Sequence, residues 1–143
     1  MSEKSTVEIE APLDEVARAV FDVENYPTWS STIKKVENIT KDGDGRVSAA
    51  TLSVDSGVVK DRVSLEYDNS GYPKVTSFSL SDGDLMTKMD GSFTLAAIDA
   101  DTTSVTYELD TDVSMPVPRM MISKVEKQTI ETTLSQLKAH LES

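Results

Sequence analysis

The sequence contains no cysteine and only one histidine, His140, among its 143 residues. Without cysteine there can be no disulfide and no thiolate metal site. A single histidine also excludes a histidine cluster for zinc and a catalytic triad with a conventional histidine base. Phosphate-binding loops and glycine-rich dinucleotide motifs are absent from the sequence as well. We therefore predict a protein with no metal and no cofactor.

Long apolar runs are also missing. No stretch approaches the roughly 20 apolar residues that a helix needs to cross a bilayer. Residues 1–4 are polar and lead straight into a strand-like segment, so no secretory leader is visible. We expect a cytoplasmic protein without integral membrane association.

Basic residues are scarce relative to acidic ones. The chain has 14 Lys and Arg against 25 Asp and Glu, which gives a net charge of −11. A surface of that sign repels phosphate backbones and anionic lipid headgroups. Nucleic acid is therefore not an expected partner. The charge also has a simpler explanation, since it keeps a protein in solution.

The first thirty residues predict a strand followed by short helices. Residues 6–10 alternate between apolar and polar, which is typical of a short strand. Pro12 suits the first position of a helix, because its missing N–H would have no partner there. Leu13, Val16 and Val20 then follow a helical stripe. The next segment, with its Tyr-Pro-Thr-Trp sequence, is short enough to be a turn or a single helical turn.

From residue 33 the hydrophobic period changes to two, and turns rich in Gly, Asp, Asn and Ser recur. Short connections of this kind join antiparallel neighbours. Residues 118–141 contain no glycine, and we predict that they form one long helix. The prediction is a single α+β domain over 1–143 with a curved seven-stranded antiparallel sheet, two short helices and a long C-terminal helix. After the first strand, the strands are expected at 33–41, 45–54, 58–68, 73–81, 87–98 and 102–113, with a bulge or bend at Gly91 in the sixth of the seven.

A cavity between the sheet and the last helix is also predicted. A strongly twisted seven-stranded sheet tends to curl, so a straight helix cannot contact it everywhere. The chain has only three Phe, four Tyr and one Trp with which to fill the gap. Several of the residues expected to point inward are small: Ala49, Thr51, Ser53, Ser77, Ser79 and Ala97.

The long helix carries a stripe that changes character along its length. The C-terminal half is apolar at Ile130, Leu134 and Leu137, and we expect this half to anchor the helix. The N-terminal half has Arg119 and Glu126 on the same stripe. An unpaired buried carboxylate would be costly, so Glu126 should face a partner or water. Alternatively the helix rotates or bends and Glu126 is solvated.

Asp61 is the charged member of an otherwise apolar strand face that includes Val63, Leu65 and Tyr67. In a pocket it could accept a hydrogen bond from a ligand hydroxyl. Near a strand end it would instead meet water or a basic neighbour.

Methionines also flank the junction between the sheet and the last helix, where they could form an adaptable ligand surface or ordinary core. They are Met86, Met89, Met115, Met120 and Met121.

Six segments carry a recognisable pattern, whose most specific part is Tyr-Pro-x-Trp after the first helix. They are Val-Glu-Ile-Glu-Ala-Pro at 7–12, Val-Phe-Asp-Val at 20–23, Tyr-Pro-Thr-Trp at 26–29, a hairpin at 89–95 and 103–109, and Pro-Val-Pro at 116–118. The pattern covers nearly the whole chain and resembles the START-like (Bet v 1-like, helix-grip) superfamily. Within it, the similarity is greatest to the polyketide cyclase/dehydrase and coenzyme Q-binding START-like group.

The resemblance implies the helix-grip fold, in which the sheet and the C-terminal helix enclose a cavity. Members bind lipids, quinones, polyketides, hormones and other apolar ligands, and a minority catalyse cyclisation or dehydration. The group has no universal catalytic residue, so none is assigned here. Trp29, which matches the Trp of the pattern, could contact a ligand or brace the short helices.

We predict that the protein binds or carries a hydrophobic small molecule, such as a lipid, quinone or polyketide-like compound, in an internal cavity. One alternative is a polyketide cyclase/aromatase-type enzyme, which needs convergent polar groups such as Asp61, Tyr107, Arg119 and Glu126. A second alternative is a protein-interaction module without a ligand, which would have a filled core and an exposed apolar patch. The sequence names no protein partner. The predicted ligand-binding residues are Trp29, Asp61, Tyr67, Phe78, Phe93, Tyr107, Met121, Val125 and Glu126.

Overall fold

The computed structural model describes residues 2–57 and 59–142. Its elements are β1 Glu3–Ile9, α1 Leu13–Val20, a 3₁₀ helix Val23–Thr28, β2 Ile33–Lys41, β3 Val47–Asp55, β4 Lys60–Asp68, β5 Val75–Gly83, β6 Met86–Asp99, β7 Thr102–Val113 and α2 Arg119–Glu142. The seven strands form one antiparallel sheet in the order β1-β7-β6-β5-β4-β3-β2. The predicted α+β fold, with short helices and a long C-terminal helix on a seven-stranded sheet, is confirmed.

The predicted boundaries are close to the observed ones, with small corrections. β1 starts three residues earlier than expected, at Glu3. Pro12 precedes α1 rather than beginning it, and its carbonyl accepts hydrogen bonds from the backbone N–H groups of Glu15 and Val16. The strand predicted at 58–68 begins at a residue outside the described ones, and β4 is described from Lys60.

Gly91 makes room for an aromatic ring. Its pairing with Leu109 on β7 is regular, and the register shifts between β6 and β7 lie near the ends of β6, so the bulge predicted at Gly91 is not observed there. On the other side Gly91 pairs with Phe78 of β5. A Cβ on Gly91 would overlap the Phe78 ring. The glycine is therefore explained by the close approach of a side chain rather than by a bulge.

The inner face of β3 and β5 is the opposite of the predicted one. Leu52 and Val54 on β3 and Phe78 on β5 point inward. Because side chains alternate along a strand, an error of one residue exchanges the two faces. The residues predicted to be inward therefore lie on the outer face, and Ala97 is exposed near the end of β6. The outward residues are Ala49, Thr51, Ser53, Ser77 and Ser79.

The two halves of α2 have different environments. Ile130, Leu134 and Leu137 are buried, and α2 packs on β1 and β7. The C-terminal end is also held by polar contacts, since Lys138 Nζ donates to the carbonyl of Glu8 at 2.7 Å. The N-terminal half lies over an open space rather than a filled core. This confirms the predicted division of the helix. Within the described residues, no helix is both long and apolar enough to cross a membrane.

Candidate functional site

A cavity of about 210 Å³ lies between the inner face of the sheet and the N-terminal half of α2. Side chains of β2 to β7, the 3₁₀ helix, the segment before α2 and α2 itself contribute to its wall, and most of them are apolar. The curved sheet and α2 converge at the C-terminal half of the helix and diverge at the other half. The predicted cavity is therefore present, although the small residues of β3 and β5 that were expected to create it point to the outer face.

Four aromatic side chains form the part of the wall that we call the aromatic floor. Tyr67, Phe78, Phe93 and Tyr107 come from the four neighbouring strands β4, β5, β6 and β7. The rings of Phe93 and Tyr107 are stacked, with centroids 4.2 Å apart and planes at 9°. Tyr67 and Phe78 are tilted at 5.8 Å. Gly91 permits this floor, because it leaves space for the Phe78 ring.

The tyrosines of the cavity differ in how their hydroxyls are used. The hydroxyl of Tyr26, on the 3₁₀ helix, donates to the carbonyl of Val20. The hydroxyls of Tyr67 and Tyr107 have no hydrogen-bond partner among residues 2–57 and 59–142. Burial raises the pKa of all three phenols above its usual value. At neutral pH the two floor tyrosines are therefore protonated and able to donate to a molecule in the cavity.

Glu126 is the charged group of the cavity wall, and it is 1% exposed. Its Oε2 accepts hydrogen bonds from the backbone N–H of Thr111 at 2.5 Å and from Thr111 Oγ1 at 2.7 Å. Arg119 donates to the Thr111 carbonyl at 3.0 Å, and its Nη2 lies 3.9 Å from Glu126 Oε1. The expectation that Glu126 faces a partner is confirmed, and the alternative that it is solvated is wrong.

The two oxygens of Glu126 are not equivalent. Oε2 is held by Thr111, whereas Oε1 is buried and has no hydrogen-bond partner in the described part of the chain. The 3.9 Å separation from Arg119 is an electrostatic contact that is too long for a hydrogen bond. One carboxylate oxygen on the cavity wall is therefore an unused acceptor.

Asp61 is not part of the cavity wall, which corrects its assignment to the site. It is the second residue of β4, and its Oδ2 accepts hydrogen bonds from the backbone N–H groups of Leu85 and Met86 at 3.1 and 2.9 Å. Its Oδ1 accepts from the N–H of Arg62 at 2.8 Å. The carboxylate therefore connects β4 to the backbone at the start of β6.

The other eight predicted residues all lie on the wall of the cavity. Trp29 packs edge-on against Tyr26 of the 3₁₀ helix with ring centroids 5.2 Å apart, which fits the bracing role, and it also lines the cavity. Among the methionines, Met86, Met89, Met115 and Met121 line the cavity. Met120 does not, and it is 83% exposed. Whether these side chains contact a ligand stays a prediction.

Sequence reasoning missed Thr111, the residue that fixes Glu126. The signal was the alternation along β7, where Tyr107, Leu109, Thr111 and Val113 all face the cavity.

A second, polar cleft of about 330 Å³ was also missed. Thr32, Ser56 and Thr129 line both this cleft and the apolar cavity, so the two lie next to each other. No group of three or more His, Cys, Asp or Glu residues suited to a metal ion occurs within 2–57 and 59–142.

Comparison with known proteins identifies the fold and the family. The model of the family described as polyketide cyclase/dehydrase and lipid transport matches residues 9–138. A START superfamily protein from Mycobacterium smegmatis is 27% identical, with a TM-score of 0.92 over 99% of this chain and 97% of that chain. The Zhui aromatase/cyclase from Streptomyces sp. R1128 is 20% identical, with a TM-score of 0.85 over 99% and 93%. No curated protein matches the chain.

Proposed function

The chain belongs to the polyketide cyclase/dehydrase and lipid transport family, and from this membership and its cavity we propose that it binds a hydrophobic small molecule between the sheet and α2. The observation that carries the proposal is the wall itself. Apolar and aromatic side chains surround the space, and only a few polar groups reach it. Binding sites for small apolar ligands have this composition.

The size of the cavity limits which ligands can fit inside it. At about 210 Å³ it is smaller than the roughly 300 to 1,000 Å³ of common ligand pockets. A compact ring system or a single short chain fits such a space better than a two-chain lipid. The aromatic floor favours a flat ring, because offset stacking adds to the burial of apolar surface. We propose that the ligand is a quinone-like or polyketide-like ring compound or a small lipid. We also propose that the protein is cytoplasmic.

A second candidate function is that of an aromatase/cyclase, the activity named for the Zhui protein. Glu126 and Tyr107 line the same cavity, and a carboxylate and a phenol are groups that transfer protons in catalysis. Asp61, the other acid considered for this role, lies outside the wall. An aromatase should convert a linear poly-β-ketone to a product with aromatic absorbance, and Glu126→Gln should abolish the conversion. The absence of product with the wild-type protein would remove this candidate.

A protein-interaction module without a ligand is the least supported function. That function was expected to come with a filled core, whereas this core contains a cavity. Met115, Met120 and Met121 are exposed, but two of them also line the cavity, where they would contact a ligand at its mouth.

The test of ligand binding is titration with N-phenyl-1-naphthylamine, a neutral fluorescent probe. A neutral probe is needed because the net charge of −11 repels anionic dyes. Val125→Trp places a large ring in the cavity from α2 and should weaken binding by about tenfold or more, since the ring takes the space that the probe needs. Lys124→Trp is the matched control, because it adds the same ring at a neighbouring exposed position.

The cavity proposal requires that the wild-type protein and Lys124→Trp bind alike and that Val125→Trp does not. Equal binding by all three proteins would place the probe on the surface and overturn the proposal. Native mass spectrometry of the purified protein, with organic extraction of any bound molecule, then identifies the natural ligand class.

A further inference from the structure

The unused oxygen of Glu126 points to a specific chemical group on the ligand. Buried polar atoms in folded proteins almost always have a hydrogen-bond partner. Oε1 of Glu126 has none among the described residues, although Glu126 is 1% exposed and lies on the wall of the cavity. A carboxylate oxygen can only accept. The missing partner must therefore be a donor, and it must come from the cavity.

Glu126 cannot easily turn away to satisfy Oε1 elsewhere. Thr111 holds Oε2 through two hydrogen bonds, from the backbone and from the side chain. Arg119 is tied to the carbonyl of the same threonine and remains 3.9 Å from Oε1. The carboxylate is therefore fixed in place before any ligand arrives, and such preorganisation favours binding.

We propose that Glu126 Oε1 accepts a hydrogen bond from a hydroxyl group of the bound molecule, so that the protein selects hydroxylated ring compounds over analogues in which that hydroxyl is methylated. This inference rests on the proposed function, because it assumes that the cavity holds a ligand. It goes further in naming the group that the ligand must carry. A hydrogen bond to a charged acceptor in a dry site discriminates more strongly than one between neutral groups.

The experiment compares 2-naphthol with 2-methoxynaphthalene, which has the same rings but no donor. Affinities are measured by displacement of N-phenyl-1-naphthylamine from the wild-type protein and from Glu126→Gln. In the variant, the amide oxygen can keep both hydrogen bonds from Thr111, which turns the amide NH₂ toward the cavity. The site then presents a donor instead of an acceptor.

The wild-type protein should favour 2-naphthol over the ether, and Glu126→Gln should lower this ratio of affinities by roughly tenfold or reverse it. The two compounds differ in hydration, but this difference contributes equally to the ratio in both proteins. It therefore cancels when the ratio of the variant is compared with that of the wild-type protein. Glu131→Gln is the control, since Glu131 lies on the exposed side of the same helix. It should leave the ratio unchanged.

The outcomes separate the inference from the proposed function. If both compounds bind and the ratio is the same in the wild-type protein and Glu126→Gln, the inference is overturned while cavity binding stands, and water is then the partner of Oε1. If neither compound nor the fluorescent probe binds the wild-type protein, both proposals fail. Should Glu126→Gln not fold, a crystal structure of the wild-type protein with 2-naphthol decides. The naphthol oxygen should lie about 3 Å from Oε1, and any other orientation overturns the inference.

Discussion

Thr111 on β7 donates two hydrogen bonds to a single oxygen of Glu126 on α2, one from its backbone N–H and one from its hydroxyl. This pair connects the last strand to the helix at the level of the cavity, where apolar packing is incomplete. The C-terminal half of α2 is held by buried Ile130, Leu134 and Leu137. The hydrogen bonds between Thr111 and Glu126 therefore attach the N-terminal half of α2 to the sheet, as apolar packing attaches the C-terminal half. They also position the carboxylate that we propose to bind a ligand hydroxyl.

Thr111→Val should destabilise the protein by about 1–2 kcal/mol. The substitution keeps the shape of the side chain but removes the hydroxyl donor, so the buried Glu126 carboxylate loses one of its two hydrogen bonds. Urea unfolding followed by circular dichroism measures the change in the free energy of unfolding. Thr106→Val is the control on the same strand, because its hydroxyl contacts Thr6 on the exposed face. Equal losses in the two variants would contradict the role of Thr111.

Gly91→Ala should reduce both stability and probe binding. The new Cβ would collide with the ring of Phe78, and we expect the ring to shift into the cavity that it lines. Overpacking of this kind costs about 1–3 kcal/mol. Thermal unfolding and N-phenyl-1-naphthylamine titration measure the two effects. Gly43→Ala serves as the control, since a Cβ at Gly43 meets nothing within 4 Å. Unchanged affinity in Gly91→Ala would show that the ring shifts elsewhere.

Asp110→Asn should lower the melting temperature at pH 7 but not at strongly acidic pH. The hydrogen bond from Lys88 Nζ, at 2.8 Å, holds the pKa of Asp110 below its usual value of about 3.9. A depressed folded-state pKa stabilises the protein above the unfolded-state pKa, and this contribution is lost as the pH falls through the folded-state value. The pKa of Lys88 is raised by the same hydrogen bond, so its contribution is lost only at strongly basic pH.

Melting temperatures of the wild-type protein and Asp110→Asn, recorded from pH 7 down to about pH 2.5, should therefore converge below pH 4. Lys88 is exposed and Asp110 is half-buried, so solvent around the pair screens the interaction and keeps the difference at neutral pH small. Asp84→Asn is the control, because Asp84 is exposed and has no hydrogen bond or ion pair within the described ranges. If the difference in melting temperature between the wild-type protein and Asp110→Asn stayed constant with pH, the charge of Asp110 would not contribute to stability.

The sequence alone determined the elements and their order. A period of two with recurring turn residues defined β2 to β7, and the uninterrupted segment after Pro118 defined α2. The change from apolar to mixed residues along α2 also predicted where the helix is anchored and where a cavity opens. These features depend on local patterns of burial and on turn chemistry, which are encoded by neighbouring residues.

Only the tertiary structure decided which face of β3 and β5 points inward, because strand faces depend on register and an error of one residue exchanges them. The tertiary structure also decided which of the two acidic residues predicted for the site lies on the cavity wall. Asp61 and Glu126 both interrupt apolar stripes, but Asp61 meets backbone donors between β5 and β6, whereas Glu126 meets Thr111 and keeps one oxygen without a hydrogen-bond partner among the described residues. Those partners are distant in sequence, and a stripe of residues on one element cannot specify what another element places opposite it.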